Sequence, residues 1–444
     1  MTVMARDGGA PRVRGRHVLA VFIGNGLEFY DFVVFAFFAV YISRTFYPND
    51  DPSTALLVTL ATFGAGFLTR PIGAIVIGSM GDRMGRKPAI LLSFSLMGIG
   101  ITGLALTPSY AAIGIAAPYL VLFFRLLQGF ALGGEVGPTT AYMAEAAPPE
   151  KRARYLSMQY VTQNSASLLA GLVGTGLALA LTEQQLQDWG WRAAMLLGSA
   201  IVPFGLLIRR ALPETMHSAD DATFAPDAGV GAATRWERLS PYLALALLGL
   251  AMLAAGTIGT YTVNYMTTYA LNTLGLAASV AFGFTIVSGL TFICFNLLGG
   301  WLADRFGRKP IMIVPATLLL LSIIPGFWIF GHFDDVWVLY LAQAIMVALL
   351  ATSAVPVLVT ITESLPKAIR SGALATIYAV AISIFGGSTQ YLVAWLIDVT
   401  GDPLAPAYLW SGAAAVGLTA MVLVPESSPV RRRASSNGLA GNGR

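Results

Sequence analysis

Apolar runs of about 20 residues, parted by short polar stretches, recur along the whole chain. Twelve can be drawn, at roughly 18–43, 55–79, 89–107, 116–143, 155–181, 191–209, 242–270, 277–302, 311–330, 337–361, 372–398 and 405–424. Each is long enough to cross the ~30 Å hydrocarbon layer of a bilayer as a helix. They are continuous, unlike the short alternating segments of a membrane β-barrel. The pattern predicts an all-α membrane protein with twelve transmembrane helices.

The polar stretches carry a repeat. Gly78-Ser-Met-Gly-Asp82-Arg83-Met-Gly85-Arg86-Lys87-Pro88 returns as Gly300-Trp-Leu-Ala-Asp304-Arg305-Phe-Gly307-Arg308-Lys309-Pro310, 222 residues later in a chain of 444. Two more features repeat in the same order. Glu145-x-x-Pro148-x-x-x-Arg152 matches Glu363-x-x-Pro366-x-x-x-Arg370, and Pro213-Glu214 matches Pro425-Glu426. Three matched loops in register predict a parallel duplication, six helices and six helices. The expected organisation is a tail over 1–16, a six-helix bundle over 17–209, a linker over 210–240, a second bundle over 241–424 and a tail over 425–444.

Composition agrees: 56% of residues are hydrophobic and 11% charged, unlike an ordinary soluble domain. Charge placement adds orientation. Of 27 Lys and Arg residues, all but Arg44, Arg70, Arg125 and Arg192 lie in the tails or in loops after even-numbered spans. By the positive-inside rule both termini are cytoplasmic. The net charge of +4 therefore reports topology and implies no nucleic-acid partner. Cys294 is the sole cysteine, which leaves no internal disulfide and no thiolate metal cluster. The first span is too long for a signal-peptide core and reads as a retained helix.

Five ionisable groups fall clearly within the membrane, away from span ends: Glu28, Asp31, Arg70, Arg125 and Glu135. Intramembrane charge is costly, so each is a candidate for function. Glu28 and Asp31 are three apart and share a helix face. Counting 1.5 Å per residue, Arg70 reaches about the depth of Glu28, and Arg125 about that of Asp31. Glu28–Arg70 and Asp31–Arg125 are therefore expected pairs. Burial raises a carboxyl pKa and a nearby guanidinium lowers it. A change in the Asp31–Arg125 distance would then move a proton on or off Asp31, with Glu28 and Glu135 as further candidates. Two arginines in an apolar interior also suit a small carboxylate, which guanidinium binds in bidentate fashion. The alternative, that both are already neutralised by the carboxylates, stays open.

Polar residues that would complete such a site are Asn25, Gln128, Gln159, Gln163, Asn164, Tyr265, Tyr378 and Gln390. Gln159 and Gln163 are four apart and share a face. The repeated loops read as a cytoplasmic gate of Asp82, Arg83, Arg86, Lys87, Arg152, Asp304, Arg305, Arg308, Lys309 and Arg370. In it Asp82 is expected near Arg370 and Asp304 near Arg152. No Walker loop, metal-ligand spacing or nucleophile with a base appears. The chain thus reads as no enzyme, with no cofactor and no metal, and transport is expected to draw on an ion gradient.

At these residues the chain resembles the major facilitator superfamily. Both repeated loops and Arg125-x-x-Gln128-Gly129 match that superfamily's signatures. The string Gly24-Asn25-Gly-Leu-Glu28-Phe-Tyr30-Asp31-Phe32, with Arg70-Pro71-Ile-Gly73, Gly133-Gly134-Glu135 and Phe385-Gly386-Gly387, is similar to the metabolite:proton symporter family. Asp188-Trp-Gly-Trp191-Arg192 and Arg209-Arg210-Ala-Leu-Pro-Glu214-Thr most resemble its citrate/tricarballylate branch. The resemblance implies the major facilitator fold and proton symport of a di- or tricarboxylate by alternating access. It implies the bacterial inner membrane as the site, with Asp31 and Arg125 as proton site. A small organic acid, protons and membrane lipid are the expected partners, and a monomer the expected state. The alternatives are a proton-coupled carrier of a zwitterion such as proline or betaine, and a drug-type efflux carrier. A non-transporting sensor on the same scaffold would be expected to carry a longer cytoplasmic extension.

Overall fold

Among the described residues every regular element is a helix. The structure is a computed structural model; it describes residues 26, 29–30, 32–48, 51–84, 86–133, 147–200, 203, 242–365 and 370–427. In the first half the helices of eight residues or more are α1 (Ala39–Phe46), α2 (Pro52–Leu68), α3 (Arg70–Met84), α4 (Arg86–Leu106), α5 (Ala116–Leu132), α6 (Arg152–Ala180) and α7 (Trp191–Gly198). In the second they are α8 (Leu243–Asn272), α9 (Ala278–Phe306), α10 (Arg308–His332), α11 (Val336–Ser364), α12 (Arg370–Ala381), α13 (Gly387–Thr400) and α14 (Ala405–Leu423). Seven helices of the described residues are long and apolar enough to cross a membrane.

The ends follow from local chemistry. Asp51 caps α2, its carboxylate accepting from the backbone N–H of Ser53 and Thr54, and Asp335 caps α11 through Trp337 N–H. Between α9 and α10 the repeated loop turns at Gly307, with φ 101°, a conformation that L side chains rarely adopt. That requirement explains the glycine in the motif.

Among the interrupted predicted spans are two near the site. The second breaks into α2 and α3 at Thr69, whose hydroxyl donates to Leu126 O of α5 (2.7 Å) and to Gly66 O (3.1 Å). The eleventh is divided by a wide π-type turn over Ile382–Gly386, between α12 and α13. Such turns widen a helix locally and are frequent at functional sites.

The apolar core is split. One cluster gathers Phe35, Phe38, Phe46 and Trp191 in the first half; a second gathers Tyr265, Tyr269, Phe327 and Trp410 in the second. A third joins Ala153 and Leu156 of α6 to Met312, Val355 and Leu358. The halves meet along α6 and α9, where Gly300 packs against Ala153 and Gly289 against Leu168. They meet again where Gly64 of α2 lies on Gly387 of α13, so close that a Cβ at Gly64 would collide with the Gly387 carbonyl. Small residues permit this backbone approach. The ring of Phe38 lies 4.7 Å from that of Phe282 in the other half.

Candidate functional site

A cavity of about 140 Å³ lies between the halves. From the first half Phe29, Phe32, Tyr160, Gln163 and Asn164 line it; from the second, Tyr261, Asn264, Asn296, Tyr378 and Trp410 do. Gln163 of α6 and Tyr378 of α12 thus line it from the two halves. Among the described lining residues none is charged. The wall is aromatic and amide, the mixture of apolar surface and few polar groups typical of a small-molecule site.

The arginines stand behind this wall. Arg125 is fully buried on α5, and its Nη1 donates to Gln128 Oε1 one turn on, at 2.6 Å. Its guanidinium carbon lies 4.5 Å from the Phe35 ring centre, 4.8 Å from Phe32 and 5.0 Å from Phe63. Arg70, at the start of α3, lies 4.5 Å from the same Phe32 ring and 4.2 Å from Phe67. Phe32 therefore touches both cations and also the cavity. A guanidinium over a ring face gains roughly 0.5–2 kcal/mol, more when desolvated. Tyr261 and Tyr378 of the cavity wall lie within electrostatic reach of Arg70.

The expected site residues fall into three groups. Gln163, Asn164 and Tyr378 line the cavity. Arg70, Arg125 and Gln128 sit behind its aromatic wall, and Gln159 is buried on α6. Tyr265 packs in the second-half core away from the lining, where Tyr261 and Asn264 of the same helix stand instead. Gln390 is buried and also outside the lining. Asn25, Glu28, Asp31 and Glu135 lie outside the described residues, and so do the side chains of Asp82, Arg83, Arg86, Lys87 and Arg370.

The second repeated loop forms a polar cluster across the halves, with one change of partners. Asp304 does not pair with Arg152. Its carboxylate accepts from the backbone N–H of Ala153 and Arg154 (both 3.1 Å) and from Arg308 Nη1 (2.8 Å). It thus caps α6, where free N–H groups and the helix dipole favour an anion. Arg152 instead reaches Glu363, Nη1 to Oε1 3.1 Å. Glu363 also takes Arg308 Nη2 at 3.3 Å and the Ser427 hydroxyl at 2.7 Å. Glu426 accepts from the backbone N–H of Arg308 and Lys309, so it caps α10. Arg305 is exposed, its guanidinium 5.4 Å from the Trp301 ring. Glu363 and Glu426 were visible in the sequence only as repeat markers.

Two helical halves around a cavity whose described lining is aromatic and amide, with a charged cluster joining them, fit a membrane carrier. A family model described as "Sugar (and other) transporter" matches residues 17–222, and one described as "Major Facilitator Superfamily" matches 277–442. The citrate-proton symporter of Klebsiella pneumoniae is 35% identical over 96% of this chain and 95% of its own length. The alpha-ketoglutarate permease of Escherichia coli (strain K12) is 34% identical over 87% of this chain and 88% of its own. The crystal structure of a D-xylose-proton symporter superposes with a TM-score of 0.75 at 20% identity, covering 93% of this chain and 98% of that one. The chain belongs to the major facilitator superfamily: it is an integral membrane transporter and not an enzyme.

Proposed function

We propose that this chain is a proton symporter of a small organic anion, a di- or tricarboxylate of the citrate type. The observation that carries the reading is the pair of guanidinium groups, Arg70 and Arg125, held behind one shared ring at the edge of the cavity. In a site of low dielectric, a bidentate guanidinium–carboxylate contact is strong and directional. The full-length relatives named for citrate and alpha-ketoglutarate support the same substrate class.

In this reading twelve helices form the two bundles, both termini face the cytoplasm, and the protein works in the bacterial inner membrane. The matched loops and the bias of Lys and Arg support that topology. Asp31 carries the proton opposite Arg125, with Glu28 and Glu135 on the same path. The Arg152–Glu363 and Asp304–α6 contacts act as a cytoplasmic latch, which opens as the cavity turns inward. Alternating access then consists of one half rocking against the other.

The test is counter-flow in proteoliposomes against labelled organic acids and betaines. Competition by citrate and 2-oxoglutarate but not by betaine, coupled to proton entry, is the expected result. Competition by betaine alone would overturn the reading in favour of a zwitterion carrier.

A further inference from the structure

Asn296 has no part in the reading above, yet its surroundings single it out. It stands on α9, is 1% exposed and lines the central cavity. Among the described residues neither its Oδ1 nor its Nδ2 has a hydrogen-bond partner. Along α9 it lies between the contacts of Gly289 with Leu168 and of Gly300 with Ala153. That places it level with Tyr160 of α6, which lines the same cavity. A buried amide with both polar atoms unsatisfied is a standing cost to the fold. Its place on the cavity wall makes a ligand the group that relieves it.

The chemistry of that ligand group follows from the amide. Nδ2 donates and Oδ1 accepts. An ionised carboxylate only accepts, so it would leave Oδ1 unsatisfied. A hydroxyl or a protonated carboxyl does both, and so matches both atoms. The described lining residues supply no cation to neutralise an anion at this point. Asn264 on α8 puts a second amide in the same wall.

We propose that Asn296 is a specificity residue of the transport site. It hydrogen-bonds an O–H-bearing oxygen of the substrate, a hydroxyl or protonated carboxyl, while the ionised carboxylates are held toward the first half. This rests on the carboxylate reading above.

The test compares purified full-length wild type with Asn296→Leu and Asn296→Ser, by thermal unfolding with and without citrate and by counter-flow of citrate and tricarballylate. Without ligand, Asn296→Leu melts at or above the wild-type temperature, because the unsatisfied amide is gone. Its KM for citrate rises about tenfold, the scale of the two neutral hydrogen bonds, one donated and one accepted, that the amide no longer makes, and Asn296→Ser falls between. If the group is the hydroxyl, tricarballylate, which lacks it, is unaffected; if it is a protonated carboxyl, both acids lose alike. Either pattern supports the assignment. A marked fall in the ligand-free melting temperature of both variants would overturn it, since the amide would then serve the fold. Citrate handling within about twofold of wild type would overturn it as well. Wild type that neither binds nor exchanges any of these acids would sink the carboxylate reading, and this assignment with it. Active wild type with unaffected variants sinks this assignment alone.

Discussion

Arg152 of the first half and Glu363 of the second are joined at 3.1 Å, with Glu363 only 5% and Arg152 17% exposed at the side chain. This contact ties α6 to α11 at the end where the repeated loops lie. Its partial burial sets it apart from a surface ion pair of little worth. A double-mutant cycle on Arg152→Gln and Glu363→Gln is expected to give a coupling of about 0.5–3 kcal/mol in thermal unfolding. If the pair also latches the halves, Glu363→Gln will speed labelling of a cysteine placed at Ser353 in a Cys294→Ser background. Labelling at the wild-type rate would leave the pair a structural brace and no latch.

Arg308 is almost fully buried and faces two carboxylates, Asp304 at 2.8 Å and Glu363 at 3.3 Å. Neutralising both partners removes two anions from beside a buried guanidinium, and breaking a buried ion pair costs about 3–5 kcal/mol. The double variant Asp304→Asn with Glu363→Gln should therefore melt well below either single variant. Asp304→Asn also weakens the cap of α6, so its single effect should exceed that of an exposed acid such as Asp188. An unchanged melting temperature in the double variant would count against this account.

The guanidinium of Arg125 is held within 5.0 Å of the ring centres of Phe32, Phe35 and Phe63 and bonds to Gln128. Lysine keeps the charge but loses the fork and most of the stacking. Arg125→Lys is expected to keep the fold and to lower carboxylate counter-flow by roughly tenfold or more, the scale of one lost charge-assisted hydrogen bond. Transport at the wild-type rate would remove Arg125 from the substrate and proton roles together.

Gly64 and Gly387 bring α2 and α13 into backbone contact, whereas Gly176 on α6 has open space where its Cβ would be. Gly64→Val should abolish transport by wedging the halves apart on that side. Gly176→Val should transport within about twofold of wild type, as expected of a site where nothing is displaced. Equal activity of the two variants would show that the contact can open without consequence.

Asp31 offers a separate test of coupling. Asp31→Asn should lose substrate-driven proton entry and uphill accumulation, yet keep counter-flow, which needs no net proton movement. Proton entry that survives the substitution would assign coupling to another carboxylate.

Much of this was legible in the chain. The apolar runs predict the helices, and the half-length repeat predicts two related halves. The glycine of the second repeated loop is explained by one dihedral at Gly307. The site was legible only as a list of residue types. Gln163, Asn164 and Tyr378 do line the cavity, but Tyr265 does not, while Tyr261, Asn264 and Asn296 do. Helices that are apolar all round carry no polar stripe, so the sequence offers no angular reference for which side faces inward.

By itself, then, the order of residues determined that the chain is built of long apolar helices, that its polar loops come in two matched sets, and which rare charges are candidates for a buried site. Only the tertiary structure decided that Asp304 caps a helix while Arg152 turns to Glu363, and that one ring, Phe32, stands between two arginines and the cavity. The reason is physical. Burial and helix length are properties of a local stretch, but the partner of a buried charge is set by what distant helices bring within a few ångströms, and several partners of equal chemistry were available.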